Sequence, residues 1–257
     1  MNKPSNLNRE KTLRVYLGSA LLFVCIFSSA TVIGILILLA LPFSLKVRYE
    51  LGAAWCSLVV WMSKFFCGID YVVEGREHID LNQPAIVLCK HQSAWETLAL
   101  RTILPMQTTL LKKSLQWFPI WGWALAASDS IAIDRKNQRE AMRILLTKGT
   151  DCLQRGLWVV IFPEGTRIEP KAETKFSAGG AMLAHKSGYP VIPVALNAGT
   201  YWPRDSFLKY PGTITVRIGP PIISRGRKAA DINAEAEAWV AQAMHELEYN
   251  KQYAEGS

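Results

Sequence analysis

From Val15 to Phe43 the chain runs without a charged side chain, "VYLGSALLFVCIFSSATVIGILILLALPF". About 20 apolar residues in helical form cross the hydrocarbon core of a bilayer, so this stretch is long enough to span with some tilt. A core helix of a water-soluble domain needs a polar face, and this one has almost none. It is also too long for the apolar region of a signal peptide, and no small-residue cleavage site follows Pro42. The expectation is a membrane helix. A second apolar run, Leu51 to Ile69, is broken only by Lys64 and carries Trp55 and Trp61, which suits an interfacial or shallow helix. Lys3, Arg9, Lys11 and Arg14 precede the first run, while Lys46 and Arg48 follow it. With both flanks positive, a re-entrant or monotopic helix pair satisfies the charge rule better than a single span, and the topology stays open. Residues 1–69 are thus expected to be membrane-anchoring helices and residues 70–257 a separate domain.

The net charge of +8 is concentrated at the N-terminal end. Through Ile69, seven Lys and Arg face two Asp and Glu, whereas the rest of the chain carries 22 against 19. A basic flank on a membrane segment favours anionic headgroups, and membrane phospholipids are the expected surface. Nucleic acid is not expected, because no Arg-rich run or aromatic-spaced basic stripe occurs. The cysteines, Cys25, Cys56, Cys67, Cys89 and Cys152, are odd in number and show no C-x-x-C spacing. Buried thiols in a reducing compartment are the simplest reading.

After Ile69 the pattern changes to short strands alternating with helices. "IDYVVEG", "PAIVLCK", "TTLLKK", "SIAID", "LWVVIF", "PVIPVAL" and "TITVRIG" read as strands. Helices are expected over Trp95 to Leu104, after the Asn137–Glu140 capping pattern, over Ala178 to Lys186, and from Asp231 to about Glu248, with a loose tail from Tyr249. This alternation predicts an α/β fold, a largely parallel central sheet flanked by helices, with the N-terminal helix pair attached.

The candidate chemistry sits where strands end. His91 follows the apolar strand 84–90 and Glu96 lies five residues on, at a helix start. At about 100° per residue, two residues five apart on one helix point apart, so they meet only if His91 lies in the turn before the helix. A carboxylate on one imidazole nitrogen fixes the tautomer and leaves the other nitrogen as a base. On the pair alone, a plain surface histidine with Glu96 favouring the helix dipole carries more weight. "FPEGTR", Phe162 to Arg167, follows the most β-branched strand. There Gly165 frees the backbone toward an anion, Thr166 offers a hydroxyl and Arg167 can grip a phosphate. Arg135 follows the strand "SIAID", and Lys175 precedes a helix start, where anions are favoured. Together these three cations suit a phosphate monoester; singly, each reads as a solvated surface charge. The aromatic stretch Trp117 to Trp123 has two open readings: core packing, or, with Phe118, Ile120 and Leu125, an apolar surface that lines a groove for an acyl chain or rests at the lipid surface.

"HQSAWE", "IAIDR", "FPEGTR" and "VIPV" stand in the order and approximate spacing of the glycerolipid acyltransferase family, and the chain resembles its bacterial 1-acyl-sn-glycerol-3-phosphate branch over roughly residues 70 to 220. The N-terminal helix pair is similar to that family's membrane anchor. The resemblance implies that residues 70–257 are an acyltransferase domain, with His91 the general base oriented by Glu96. It assigns Arg135 and the turn Glu164, Gly165, Thr166 and Arg167 to the acceptor phosphate, and Pro193 to the acyl-donor region. The implied reaction is acyl transfer from acyl-CoA or acyl carrier protein to the sn-2 hydroxyl of lysophosphatidic acid. The implied place is the bacterial inner membrane, catalytic domain on the cytoplasmic face. The chain departs from the family in having Glu96 where aspartate is usual, and Asp129 and Ala132 where the second motif usually has glycine and phenylalanine.

Transfer of a thioester to a hydroxyl needs a base and stabilisation of the oxyanion, so no metal or other cofactor is expected. The chain has four histidines, no H-E-x-x-H and no G-x-S-x-G elbow. Three alternatives stay open on the sequence: an acyltransferase for another lysolipid, such as a lyso-ornithine lipid; a membrane-anchored thioesterase or lipid hydrolase; and a non-catalytic lipid-binding or scaffolding protein.

Overall fold

The computed structural model describes residues 11–254 apart from 135, 171, 173 and 174. Two long helices come first, α1 (Leu13–Leu39) and α2 (Leu45–Cys67). Each begins at a hydroxyl cap, Thr12 accepting from the Val15 N–H and Ser44 from the Val47 N–H. α2 stops at Gly68, whose φ of 68° is the left-handed conformation that glycine adopts without a Cβ penalty. Then follow β1 (Ile69–Glu74), β2 (Ile86–Cys89), α3 (Trp95–Ile103), β3 (Gln107–Lys112), α4 (Trp121–Ala127) and β4 (Ile131–Ile133). The second half is α5 (Gln138–Gln154), β5 (Trp158–Ile161), α6 (Gly179–Ser187), β6 (Val191–Leu196), α7 (Ala198–Tyr201), β7 (Gly212–Ile218) and α8 (Ala229–Ala254). Asn137 caps α5 through the Glu140 N–H, as its spacing predicts. α8 is longer than predicted: its backbone stays helical past Tyr249, where a tail was expected.

The strands form one sheet in the order β1-β7-β6-β2-β5-β3-β4. Every neighbouring pair is parallel except β6 with β7. β2, β5 and β6 are buried at every position, as strands covered on both faces must be. Alternate residues feed two cores. Val87, Cys89, Val160, Ile192 and Val194 pack with α2 and α3, whereas Ile86, Leu88, Val159, Ile161 and Val191 pack with α5, α6 and α8. The sheet is therefore a filled layer between two layers of helices, and its carboxyl edge at β2, β5 and β3 is where the polar turns gather.

α1 lies along the domain. Gly18 lets it approach the Phe66 carbonyl of α2, and Ser19 Oγ accepts from the Lys209 N–H at 2.8 Å. Further on, Phe27 packs on Trp121, whose indole N–H donates to Thr31 Oγ1, and Ser29 Oγ accepts from Trp55. At Gly34 the Ile120 side chain fills the space where a Cβ would stand, 2.8 Å from its Cγ2. Ile120 itself has φ 64° and ψ −65°, and the Trp121 N–H donates to the Pro119 carbonyl across it. This is a γ-turn of the strained hand, held by its contact with α1. The outer face of α1 leaves Leu17, Leu21, Val24, Val32, Ile35 and Leu39 exposed. By length and composition α1 can cross a membrane, and its apolarity suits membrane association.

Gly18→Ala puts a methyl group against the Phe66 backbone carbonyl, which no rotamer change relieves. We expect a loss of about 1–3 kcal/mol, read as a lowered thermal midpoint of the detergent-solubilised protein, with Ala20→Gly as a control that leaves the close approach intact.

Candidate active site

His91 lies just past the end of β2, in the turn before α3, and Glu96 lies in the first turn of that helix. Glu96 has no exposed side-chain surface, yet Oε1 accepts three hydrogen bonds: from His91 Nδ1 at 2.9 Å, the Gln92 N–H at 2.7 Å and the Ser93 N–H at 2.6 Å. A buried carboxylate persists only with such donors, and charge-assisted bonds are the strong kind. The carboxylate places the imidazole proton on Nδ1 and leaves Nε2 as the basic nitrogen. The ring is stacked on Phe162 at 4.0 Å between centroids and 21° between planes, so it cannot swing away. The Ile168 N–H donates to the His91 carbonyl at 2.7 Å, tying this turn to the one after β5.

That second turn divides its residues between two directions. The Gly165 N–H donates to the Phe162 carbonyl and Gly165 takes φ 71°, so the glycine is there for the turn and its amide closes it. Glu164 points inward: its carboxylate is fully buried, 3.5 Å from Lys90 Nζ, whose side chain is 10% exposed. Burial raises the Glu164 carboxyl above the usual range, with the Lys90 ammonium pulling it back. Glu164 is thus a buried anchor rather than a group facing an acceptor phosphate. Thr166 and Arg167 face the other way and line a cavity, and among the described residues Arg167 Nε is buried without a hydrogen-bond partner.

The cavity has a volume of about 680 Å³ and lies between α1, α2, α3, β3 and α4. His91, Thr166 and Arg167 stand at its polar end, joined there by Arg204 and Asp205, and Lys112 lines the cavity from the end of β3. Its walls are apolar, built from residues such as Ile26, Phe27 and Ile33 of α1 and Leu98, Leu110 and Leu125 opposite. Arg204 donates to the Arg167 carbonyl and forms an ion pair with Asp205 at 2.6 Å. The aromatic stretch divides between the cavity and the outer surface. Trp121 lines the cavity with Leu115, while Trp117, at 81% exposure, and Trp123 face outward.

Not every predicted residue comes to this site. Lys175 is exposed before α6 and is not among the cavity-lining residues. Pro193 is buried in the middle of β6, opposite Leu88, with its carbonyl accepting from the Gly219 N–H; it builds the sheet and does not line the cavity. Arg135 lies outside the described residues. Lys112, Lys90 and Arg204 are among the site residues that escaped the sequence reading. Lys112 ends β3 as His91 follows β2, so the rule that found His91 also finds it. Lys90 sits next to His91 and interrupts an apolar run, a visible oddity. Arg204 comes from a polar loop after α7, and nothing local marks it. Cys89 is fully buried beneath His91, and burial, then the charges of Glu96 and Glu164, push its thiol well above the usual range, so it stays a neutral thiol rather than a nucleophile.

The site and fold together define an acyltransferase. The protein-family model described as Acyltransferase matches residues 70–197. Over 235 residues the chain is 43% identical to a 1-acyl-sn-glycerol-3-phosphate acyltransferase of Pseudomonas aeruginosa, covering 89% of this chain and 91% of that protein. A 1-acyl-sn-glycerol-3-phosphate acyltransferase of Limnanthes douglasii is 28% identical over 221 residues, 84% of this chain and 77% of that one. The crystal structure of the 1-acyl-sn-glycerophosphate (LPA) acyltransferase PlsC from Thermotoga maritima shares the fold, with a TM-score of 0.74 over 92% of this chain and 97% of that one at 21% identity. The chain belongs to the acyltransferase family, and its activity is O-acyl transfer.

Lys90→Met leaves the Glu164 carboxylate buried alone. Removing one partner of a buried pair costs about 3–5 kcal/mol, so a clear fall in thermal midpoint is expected. The double variant Lys90→Met/Glu164→Leu removes both charges and is expected to recover most of that loss in the same melting assay.

Proposed function

We propose that the protein transfers an acyl chain from acyl-CoA or acyl carrier protein to the sn-2 hydroxyl of lysophosphatidic acid, giving phosphatidic acid. The observation that carries this reading is a carboxylate-oriented imidazole at the polar end of an apolar cavity, beside a buried Arg167 Nε that finds no acceptor among the described residues. The cavity suits the acyl chain, and Arg167 with Thr166, Lys112 and Arg204 suits the phosphate of the acceptor. The activity of the relatives from Pseudomonas aeruginosa and Limnanthes douglasii supports that assignment.

In this scheme Glu96 keeps the Nδ1 proton in place and Nε2 of His91 takes the proton of the sn-2 hydroxyl. The hydroxyl oxygen forms its bond to the thioester carbonyl carbon, and the tetrahedral adduct collapses with cleavage of the C–S bond. The imidazolium returns its proton to the departing thiolate, so the products are an ester and a free thiol. No enzyme-bound acyl group forms, in keeping with the buried, neutral Cys89. No metal or cofactor takes part.

The same reading seats the protein on the cytoplasmic face of the bacterial inner membrane. The exposed stripe of α1, with the exposed Trp117, Phe118 and Trp123, supplies the apolar surface for that seat. Because the opposite face of α1 is packed on the domain through several turns, the helix lies along the interface rather than across the bilayer.

With detergent-purified protein, lysophosphatidic acid and labelled acyl-CoA or acyl carrier protein, labelled phosphatidic acid is expected. His91→Ala is expected to lower kcat by about 10²–10⁴-fold. Failure of both donors, or near-normal turnover by His91→Ala, sinks the assignment. Fatty acid released at the same rate without acceptor identifies a hydrolase instead. Arg167→Met is expected to raise KM for lysophosphatidic acid by roughly 10-fold or more, the worth of a hydrogen bond to a charged group, and to leave KM for the donor near its original value. Trp117→Ser/Trp123→Ser is expected to weaken flotation with vesicles of phosphatidylglycerol and phosphatidylethanolamine.

A further inference from the structure

The cavity wall carries a charge that acyl transfer does not use. Arg101 lies six residues beyond Trp95 on α3, so at 1.5 Å per residue it stands about 9 Å further along the helix than the end that holds His91. It lines the same cavity with Gly52, Cys56, Thr109 and Ser128. Its guanidinium rests 4.9 Å above the ring of the buried Tyr49. Gly52 leaves room for it: a Cβ there would stand 3.2 Å from Nη1. Among the described residues no hydrogen bond or ion pair reaches this guanidinium, although the nearby Gln107 amide and the Ser128 hydroxyl are bonded to backbone carbonyls. The cavity is thus polar at both ends and apolar between.

A guanidinium offers five donors and gives up its water only to acceptors, so hydrocarbon cannot replace that water without loss. An aromatic face holds the cation in place but leaves its in-plane donors unsatisfied. A chain whose carbonyl sits at His91 and whose methylenes run along α3 meets apolar wall until it nears Arg101. We propose that Arg101 sets the upper limit on acyl-chain length by keeping the far end of the cavity polar, which makes it a specificity-determining residue. Chains that stop short of it fill apolar space. Longer chains must push methylenes against a hydrated cation, and their transfer falls off steeply. This inference rests on the acyl-transfer reading and on the cavity as the place of the acyl chain.

The test is the kcat/KM of the detergent-purified full chain with lysophosphatidic acid and a saturated acyl-CoA series from six to twenty carbons, for wild type, Arg101→Met and Arg101→Gln. For wild type we expect a steep fall beyond a limiting length. In Arg101→Met the limit moves at least two carbons longer, and the rate ratio of the chain just beyond the wild-type limit to the chain at it rises about tenfold. Arg101→Gln, polar but uncharged, gives a smaller shift in the same direction and decides the matter if the methionine variant does not fold. The same length profile in wild type and in every variant that folds overturns the inference, as does a uniform loss at all lengths. Absence of transfer by wild type at every length counts instead against the acyl-transfer reading itself.

Discussion

The carboxylate of Glu96 accepts from one side chain and two backbone amides while fully shielded from water, and the local geometry follows from that requirement. Two consecutive amides, of Gln92 and Ser93, point into the protein after β2 ends, where neither a strand nor a helix partner is available to them. Left unpaired, each would cost about 1–3 kcal/mol. Glu96 reaches back across the first turn of α3 to satisfy both, and with the same oxygen it takes the imidazole of His91. The extra methylene of glutamate, relative to aspartate, lengthens that reach. Strand end, turn, helix start and imidazole orientation are therefore one hydrogen-bonded unit, and none of its parts can move without exposing the others.

The remainder of the site is arranged around this unit by the parallel sheet. β5 lies next to β2, and β3 next to β5, so the turns that follow them open at one edge. Lys90 and Glu164 clamp the β2 and β5 turns from below, while Phe162 and the Ile168 amide hold the histidine ring and its carbonyl from the side. The buried ion pair spends no charge on substrate. Its position between the two turns fixes how far Thr166 and Arg167 stand from His91, a distance that chain connectivity alone leaves free.

Much of this was legible in the sequence because it is written in short-range patterns. Continuous apolar runs marked β2, β5 and β6, and a histidine and a P-E-G-T-R turn at the ends of two of them marked the site. The charge-free run marked α1. What the sequence hid depends on side-chain direction or on contacts between distant segments. Glu164 and Arg167 occupy one turn of similar polarity, yet one faces the core and the other the cavity, a choice made by the buried Lys90. Pro193 lies in a strand whose central place in the sheet becomes visible only with the strand order. Arg204 arrives from a loop 37 residues beyond Arg167, held by a carbonyl contact that no spacing rule encodes. The strained turn at Ile120 depends on the missing side chain of Gly34, 86 residues away.

The position of α1 changes what an anchor means in this chain. Ile26, Phe27, Ile33 and Ile37 are at once part of the most apolar helix and part of the cavity wall. A tether can be cut and replaced; a wall cannot. Removal of residues 1–43 would yield a trough open to solvent along the side where α1 had been, with Trp121 and the Ile120 turn deprived of their support. The exposed and cavity-facing sides of α1 share one backbone, so whatever displaces this helix acts directly on the shape of the container beside His91.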